Sequence, residues 1–308
     1  MIDDVVTVKM DYREFIHHDD EIAMRNLESA TGFNMAARYF MENFTESQIR
    51  GLLMAESVRL SPTQLPEIYN LLPPVCDKLG IEAPEMYLQM DPLPNAWTIG
   101  NRKNFIVITS GLLNHISDRR ELESVIAHEC GHILCRHTFY TTIAMFVVAV
   151  GSAIGIADVV LQPLIYALLY WRRQAELSAD RASIVYIGEA TIPCRALLRL
   201  CGGPQSMTKD INLEEYAKQA KEFDLSKSSS KWTKLCYAWK VKDNDHPFMA
   251  IRIRELLSWA ESPHFKVLRD AMARIENFPI CSRCGKRVSE SARFCKYCGN
   301  SLIKAITD

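Results

Sequence analysis

With 308 residues, 48% of them hydrophobic, the chain can fill about two cores at the usual roughly 100–200 residues per domain, and it is too apolar to be disordered. Its 36 basic and 37 acidic side chains leave a net charge of −1, which excludes a global field drawing it to nucleic acid or an anionic membrane. Met1-Ile2-Asp3-Asp4 offers no basic segment ahead of an apolar run, so no cleaved secretory signal is expected and a cytoplasmic setting follows.

Residues 1–64 are expected to be helical, with Thr45 and Gln48 forming a capping box ahead of Ile49, Leu52 and Leu53, and no chemistry is assigned to them. A further helical pattern runs from Leu65 to a stop at Gly80. Three strand-like stretches follow, Met86–Met90, Ala96–Ile99 and Asn104–Thr109, and together they predict a small sheet. Asp118 with Glu121 forms a second capping box, opening a helix whose apolar residues Leu122, Val125, Ile126, Ile133 and Leu134 recur at helical spacing.

Between Thr141 and Trp171 the sole charge is Asp158. A spanning helix needs about 20 apolar residues, so this stretch fits one crossing and not two. Pro163, Asp158, Gly151 and Gly155 interrupt it, favouring two buried or interfacial helices that wall the cleft. The surface of 141–171 leaves peripheral membrane association open. Lys227–Lys231 reads as a surface loop, residues 263–278 as a linker helix, and 279–305 as a separate small module.

His128-Glu129-Cys130-Gly131-His132 is an H-E-x-x-H motif; on a helix, the i, i+4 spacing turns both imidazoles to one face, where they can bind one zinc ion. Glu129 beside them is placed as general base towards a metal-activated water. A catalytic zinc needs a third protein ligand, and Glu176 in Ala175-Glu176-Leu177-Ser178-Ala179-Asp180 is the candidate. Asp180, one helical turn further on, is placed to orient a ligand histidine. Cys130 reads as a small buried residue on the packed side of its helix.

H-E-x-x-H followed by E-x-x-x-D resembles the metallopeptidases that include the CAAX prenyl proteases and the HtpX-type heat-shock proteases. The resemblance covers roughly Leu65 to Leu257 and lacks the long N-terminal membrane spans of those proteins. It implies that Asn95, Ala96 and Trp97 belong to an edge strand that holds substrate. It also implies that His246, in Asp245-His246-Pro247, stabilises the oxyanion, and that Arg252 holds the metal-site carboxylates or His246. The implied fold is α+β, mainly α: a zincin-like metallopeptidase domain over 65–262 with a small sheet and an active-site helix. The implied activity is zinc-dependent endoproteolysis of a peptide or protein. A catalytically inactive scaffold is the alternative.

Cys281, Cys284, Cys295 and Cys298 form two Cys-x-x-Cys pairs, each followed by glycine, at spacing suited to a closed structural zinc site resembling a short zinc ribbon. The expected inventory is thus one catalytic and one structural Zn2+. Arg283, Lys286, Arg287, Arg293, Lys296 and Tyr297 make the ribbon locally basic, but a protein-docking or autoregulatory role is preferred to nucleic-acid binding.

Overall fold

The computed structural model describes residues 10–29, 33–43, 46–154, 158–229, 249–284, 288, 292–295 and 298–302. After a 3-10 turn at Tyr12–Glu14 come α1 (His18–Ser29), α2 (Phe33–Asn43), α3 (Glu46–Glu56), β1 (Ser57–Arg59), α4 (Pro66–Tyr69) and α5 (Leu72–Leu79). Then follow β2 (Glu85–Gln89), β3 (Ala96–Gly100), β4 (Asn104–Thr109), α6 (Ser110–His115), α7 (Arg119–Leu134), α8 (His137–Ile154) and α9 (Asp158–Ile187). The chain continues through α10 (Thr191–Gly202), α11 (Gln205–Thr208), α12 (Leu213–Ser229), α13 (Met249–Ala260) and α14 (Pro263–Glu276). It is an α+β protein, mainly α, as the sequence leads one to expect.

The sheet has the order β1-β2-β4-β3, with β2 parallel to β4 and both edge strands antiparallel to their neighbours. β4 is buried on both faces, which explains its unbroken Phe105-Ile106-Val107-Ile108 run. Ile106 and Ile108 join the main core with Leu122 and Ile126 of α7, whereas Phe105 and Val107 meet Ile49 and Leu53 of α3 on the opposite face. Three of the strands fall where the sequence places them. The fourth, β1, lies within the segment read as wholly helical: three residues are too few to show alternation, and pairing with β2 alone sets their conformation.

α7 packs closely on α9 because Gly131 has no side chain. A Cβ there would lie 2.6 Å from the Cβ of Ala182 and 3.2 Å from the Cα of Ala179. The apolar stretch forms two helices, α8 and the first half of α9, so the chain returns and brings Glu176 to within 3.5 Å of His132. Among the described residues no helix is long and apolar enough to cross a membrane. Pro163 sits inside α9, near its start, while Gly155 lies outside the described residues.

Two expectations need adjustment. α12 extends through Ser229, so Lys227–Ser229 are helical, not a loop; positions 230 and 231 lie outside the described residues. The 263–278 segment does contain a helix, α14, but it buries Phe265, Leu268 and Met272 in the main core. The Thr45 end of the first capping box also lies outside the described residues.

Candidate active site

α7 begins at Asp118, whose Oδ1 accepts the N–H groups of Arg120 and Glu121 at 2.8 and 3.0 Å. The reciprocal half of the capping box does not form. Glu121 turns instead to Arg199 of α10, accepting at 3.1 and 2.9 Å in a buried pair that fixes α7 against α10. Three turns further along α7 come His128, Glu129 and His132, facing Glu176 and Asp180 on α9.

His128 Nε2 and His132 Nε2 lie 3.2 Å apart, and each is 3.5 Å from a carboxylate oxygen of Glu176. A tetrahedral zinc with bonds of about 2.0–2.1 Å has ligand–ligand edges of roughly 3.3–3.4 Å, so these three residues fit the ion without rearrangement. Asp180 Oδ1 lies 3.0 Å from His128 Nδ1, the ring nitrogen turned away from the metal position. Arg252 of α13 then spans both carboxylates, reaching Asp180 at 2.8 and 2.6 Å and Glu176 at 2.9 Å. It is 3% exposed, which rules out an ordinary charge on a solvated helix face.

The charge balance also accommodates a metal cation. Glu129, Glu176 and Asp180 are all buried, and among the described residues Arg252 is the buried cation that pairs with two of them. One guanidinium offsets one of three carboxylates, leaving room for a divalent ion. The same field acts on His128. Burial alone would lower its pKa, but hydrogen bonds and charge from Asp180 and Glu176 outweigh that and raise it to about 10. His132 is held below its ordinary value, chiefly by burial.

Glu129 is oriented from the sheet. The Thr98 hydroxyl, on edge strand β3, donates to Glu129 Oε2 in a short contact. Nothing in the sequence marks Thr98 as a site residue, although it lies within the strand predicted over Ala96–Ile99. Asn95, Ala96 and Trp97 line the cleft beside Glu129. An apolar cavity of about 300 Å³, lined by Leu93, Val125, Pro193 and Leu197, adjoins His128 on one side. A second, of about 290 Å³, opens towards Trp97, Met145 and Arg172 on the other. His246 lies outside the described residues. Cys130 is fully buried, its Sγ 4.0 Å from that of Cys76, and burial holds its thiol pKa well above the ordinary value.

In the C-terminal module, Sγ of Cys281 lies 3.7 Å from that of Cys298, and Sγ of Cys284 lies 3.6 Å from that of Cys295. Zinc–sulfur bonds of about 2.3 Å in a tetrahedron give edges of roughly 3.8 Å, so the four thiols suit a closed zinc site. The four Sγ atoms lie within 4.8 Å of one another. N–H groups of Cys284 and Arg283 help to bring Cys281 down to about 6, favouring the ligating thiolate. Lys286, Arg287, Lys296 and Tyr297 lie outside the described residues.

A helix bearing two histidines and a glutamate, a second helix supplying glutamate and aspartate, and an edge strand alongside define an H-E-x-x-H metallopeptidase. Residues 62–260 match peptidase family M48, and the chain belongs to that family. Residues 280–302 match a zinc-ribbon domain. Among curated relatives, the chain is 29% identical over 267 residues to plastoglobule-localized metallopeptidase 48, chloroplastic, of Arabidopsis thaliana, covering 84% of this chain and 76% of the relative. It is 32% identical over 167 residues to the protease HtpX homolog of Tropheryma whipplei (strain TW08/27), covering 53% of this chain and 55% of that protein. The chain thus spans about half the length of that homolog. A solved structure, S. mikatae Ste24p, is similar over 79% of this chain and 67% of its own with 15% identity and a TM-score of 0.35, so the family assignment rests on the sequence matches.

Proposed function

We propose that this protein is a zinc-dependent metalloendopeptidase holding one catalytic and one structural zinc ion. The observation that carries this reading is the near-tetrahedral spacing of His128, His132 and Glu176 with Glu129 adjacent. Zinc at that position would supply Lewis acidity worth several kcal/mol of charge stabilisation in the transition state. Glu129 takes the proton of the attacking water and returns it to the leaving amine. Thr98 fixes the carboxylate that does so, and Asp180 with Arg252 holds His128 and Glu176 in their ligating orientations.

A peptide lies along the free edge of β3 at Asn95, Ala96 and Trp97, with neighbouring side chains entering the two flanking cavities. His246 serves as an oxyanion donor in this scheme. The ribbon is a zinc-folded docking module for a protein partner. The setting is cytoplasmic, with the α8–α9 pair as the face available to a membrane surface.

Metal content and proteolysis of purified Glu129→Gln test the reading. The expected result is two zinc per chain in both proteins with hydrolysis lost only in the variant, while His128→Ala and Glu176→Ala each lose one zinc. Undiminished hydrolysis by Glu129→Gln would overturn it. One zinc in wild type, lost on Cys281→Ser, would favour the inactive scaffold instead.

A further inference from the structure

We propose that Asp20 and His137 form a positioning relay for the zinc ligand His132, so that the N-terminal helix α1 is part of the metal centre. This inference rests on the reading of His128, His132 and Glu176 as a zinc site. Asp20 is fully buried, and it belongs to a helix outside residues 62–260 that match the peptidase family. Its Oδ2 lies 3.0 Å from Nε2 of His137, the first residue of α8, and accepts from the hydroxyl of Ser178 on α9. Nδ1 of His137 in turn lies 3.0 Å from Nδ1 of His132.

Were zinc held at His132 Nε2, the directions of the hydrogen bonds through the two rings to Asp20 would follow. His132 Nε2 is the nitrogen near Glu176 and His128 Nε2, so it takes the metal and Nδ1 must carry the proton. That N–H donates to Nδ1 of His137, which must accept. His137 is then neutral with its proton on Nε2, and donates it to the Asp20 carboxylate. The Ser178 hydroxyl gives its own proton to Asp20, and its oxygen accepts the backbone N–H of His17 at 2.9 Å. Each donor thus meets an acceptor. The His137 ring is clamped edge-on against Trp171, with centroids 5.6 Å apart, so it has little freedom to turn the relay aside.

The two histidine ligands are therefore supported by carboxylates at different removes. Asp180 reaches His128 directly, at 3.0 Å, whereas α1 reaches His132 through an intervening imidazole. Ser178, between Glu176 and Asp180 in sequence, belongs to the second arrangement. α9 thus contributes to both sides of the metal through alternate positions along one turn.

Outer-shell partners of metal ligands are worth about 10–100-fold in metal affinity. The test uses the full chain, with zinc removed by a competing chelator and the two sites distinguished by Co2+ substitution. Thiolate-to-cobalt charge-transfer bands report the ribbon, and the ligand-field bands that remain in a Cys281→Ser background, where the four-thiolate site is broken, report the His-His-Glu site. His137→Phe, which keeps a ring against Trp171 but has no acceptor, and Asp20→Leu are each expected to weaken the His-His-Glu site by about 10–100-fold and to shift its ligand-field bands, with the ribbon unchanged. Asp20→Asn keeps an acceptor oxygen and is expected to stay within a few-fold of wild type. Should His137→Phe fail to fold, the contrast between Asp20→Leu and Asp20→Asn decides. Unchanged metal affinity and cobalt spectra in folded variants, with only the melting temperature lowered, would overturn the relay and leave a structural network. Absence of His-His-Glu cobalt bands in Cys281→Ser with Asp20 and His137 intact would instead overturn the zinc reading on which the relay depends.

Discussion

Arg252 grips both oxygens of Asp180, at 2.8 and 2.6 Å, while Asp180 presents Oδ1 to His128 Nδ1 at 3.0 Å. A single guanidinium on α13 therefore fixes the carboxylate that orients His128, a candidate zinc ligand, comes within 3.5 Å of His128 Nδ1 itself, and steadies Glu176 with its third nitrogen. Removing one partner of a buried ion pair costs about 3–5 kcal/mol, because the other charge stays buried and uncompensated. Arg252→Met is expected to lose that amount in denaturant unfolding of the zinc-free protein. Zinc should recover part of the loss, since the ion supplies the positive charge the carboxylates lack. Equal destabilisation with and without zinc would show that the guanidinium and the metal do not share these carboxylates.

Glu121 and Arg199 make a second buried pair, away from the metal but on the same helix, α7. Arg199→Met alone should cost about 3–5 kcal/mol, whereas the double variant Glu121→Gln/Arg199→Met removes both charges and should recover a large share. Urea midpoints of the two single variants and the double variant measure the coupling. Additive losses would mean that the pair does not hold α7 to α10.

The candidate metal-binding cluster is legible in the sequence because its pattern is local. The i, i+4 spacing of His128 and His132 on a capped amphipathic helix needs no tertiary information, and the same holds for Glu176 and Asp180 on α9. Three strands showed as apolar runs between turns. What remained hidden depends on partners distant in sequence. Thr98 becomes a site residue through a contact 31 positions away, and Asp20 through one 117 positions away. The Glu121 carboxylate has the signature of a capping box, but a guanidinium 78 residues further on offers a stronger partner than a backbone N–H. β1 takes its conformation from β2, so no pattern of its own marks it.

Thr98 donates to the carboxylate of Glu129, the proposed general base. Thr98→Val has nearly the same shape without the hydroxyl. Proton transfer by a positioned group contributes about 10²–10⁴-fold, and loosening that group should forfeit a fraction of it, roughly 10-fold in kcat. KM and zinc content are expected to stay at the wild-type level. A rise in KM with kcat unchanged would instead assign Thr98 to substrate binding along β3.

Gly131 sits between the two histidines where α7 meets α9, and its missing side chain permits the approach that brings His128 and His132 close to Glu176. In Gly131→Ala the new methyl would lie 2.6 Å from the Cβ of Ala182, a distance that carbon atoms do not tolerate, and 3.2 Å from the Cα of Ala179. Overpacking of this kind costs about 1–3 kcal/mol, to which the better helix propensity of alanine returns up to about 1 kcal/mol. The helices must part, so the distance from His128 and His132 to Glu176 grows and zinc affinity should fall along with stability. Because the tightest contact is with Ala182, the double variant Gly131→Ala/Ala182→Gly removes it and should restore much of the metal affinity, although the second glycine keeps a helix-propensity cost of about 1 kcal/mol. Zinc competition and thermal melting on the two single variants and the double variant separate these effects. Recovery of zinc affinity without full recovery of melting temperature is the expected pattern. Loss of affinity that persists in the double variant would mean that the spacing of α7 and α9 is not set by this contact.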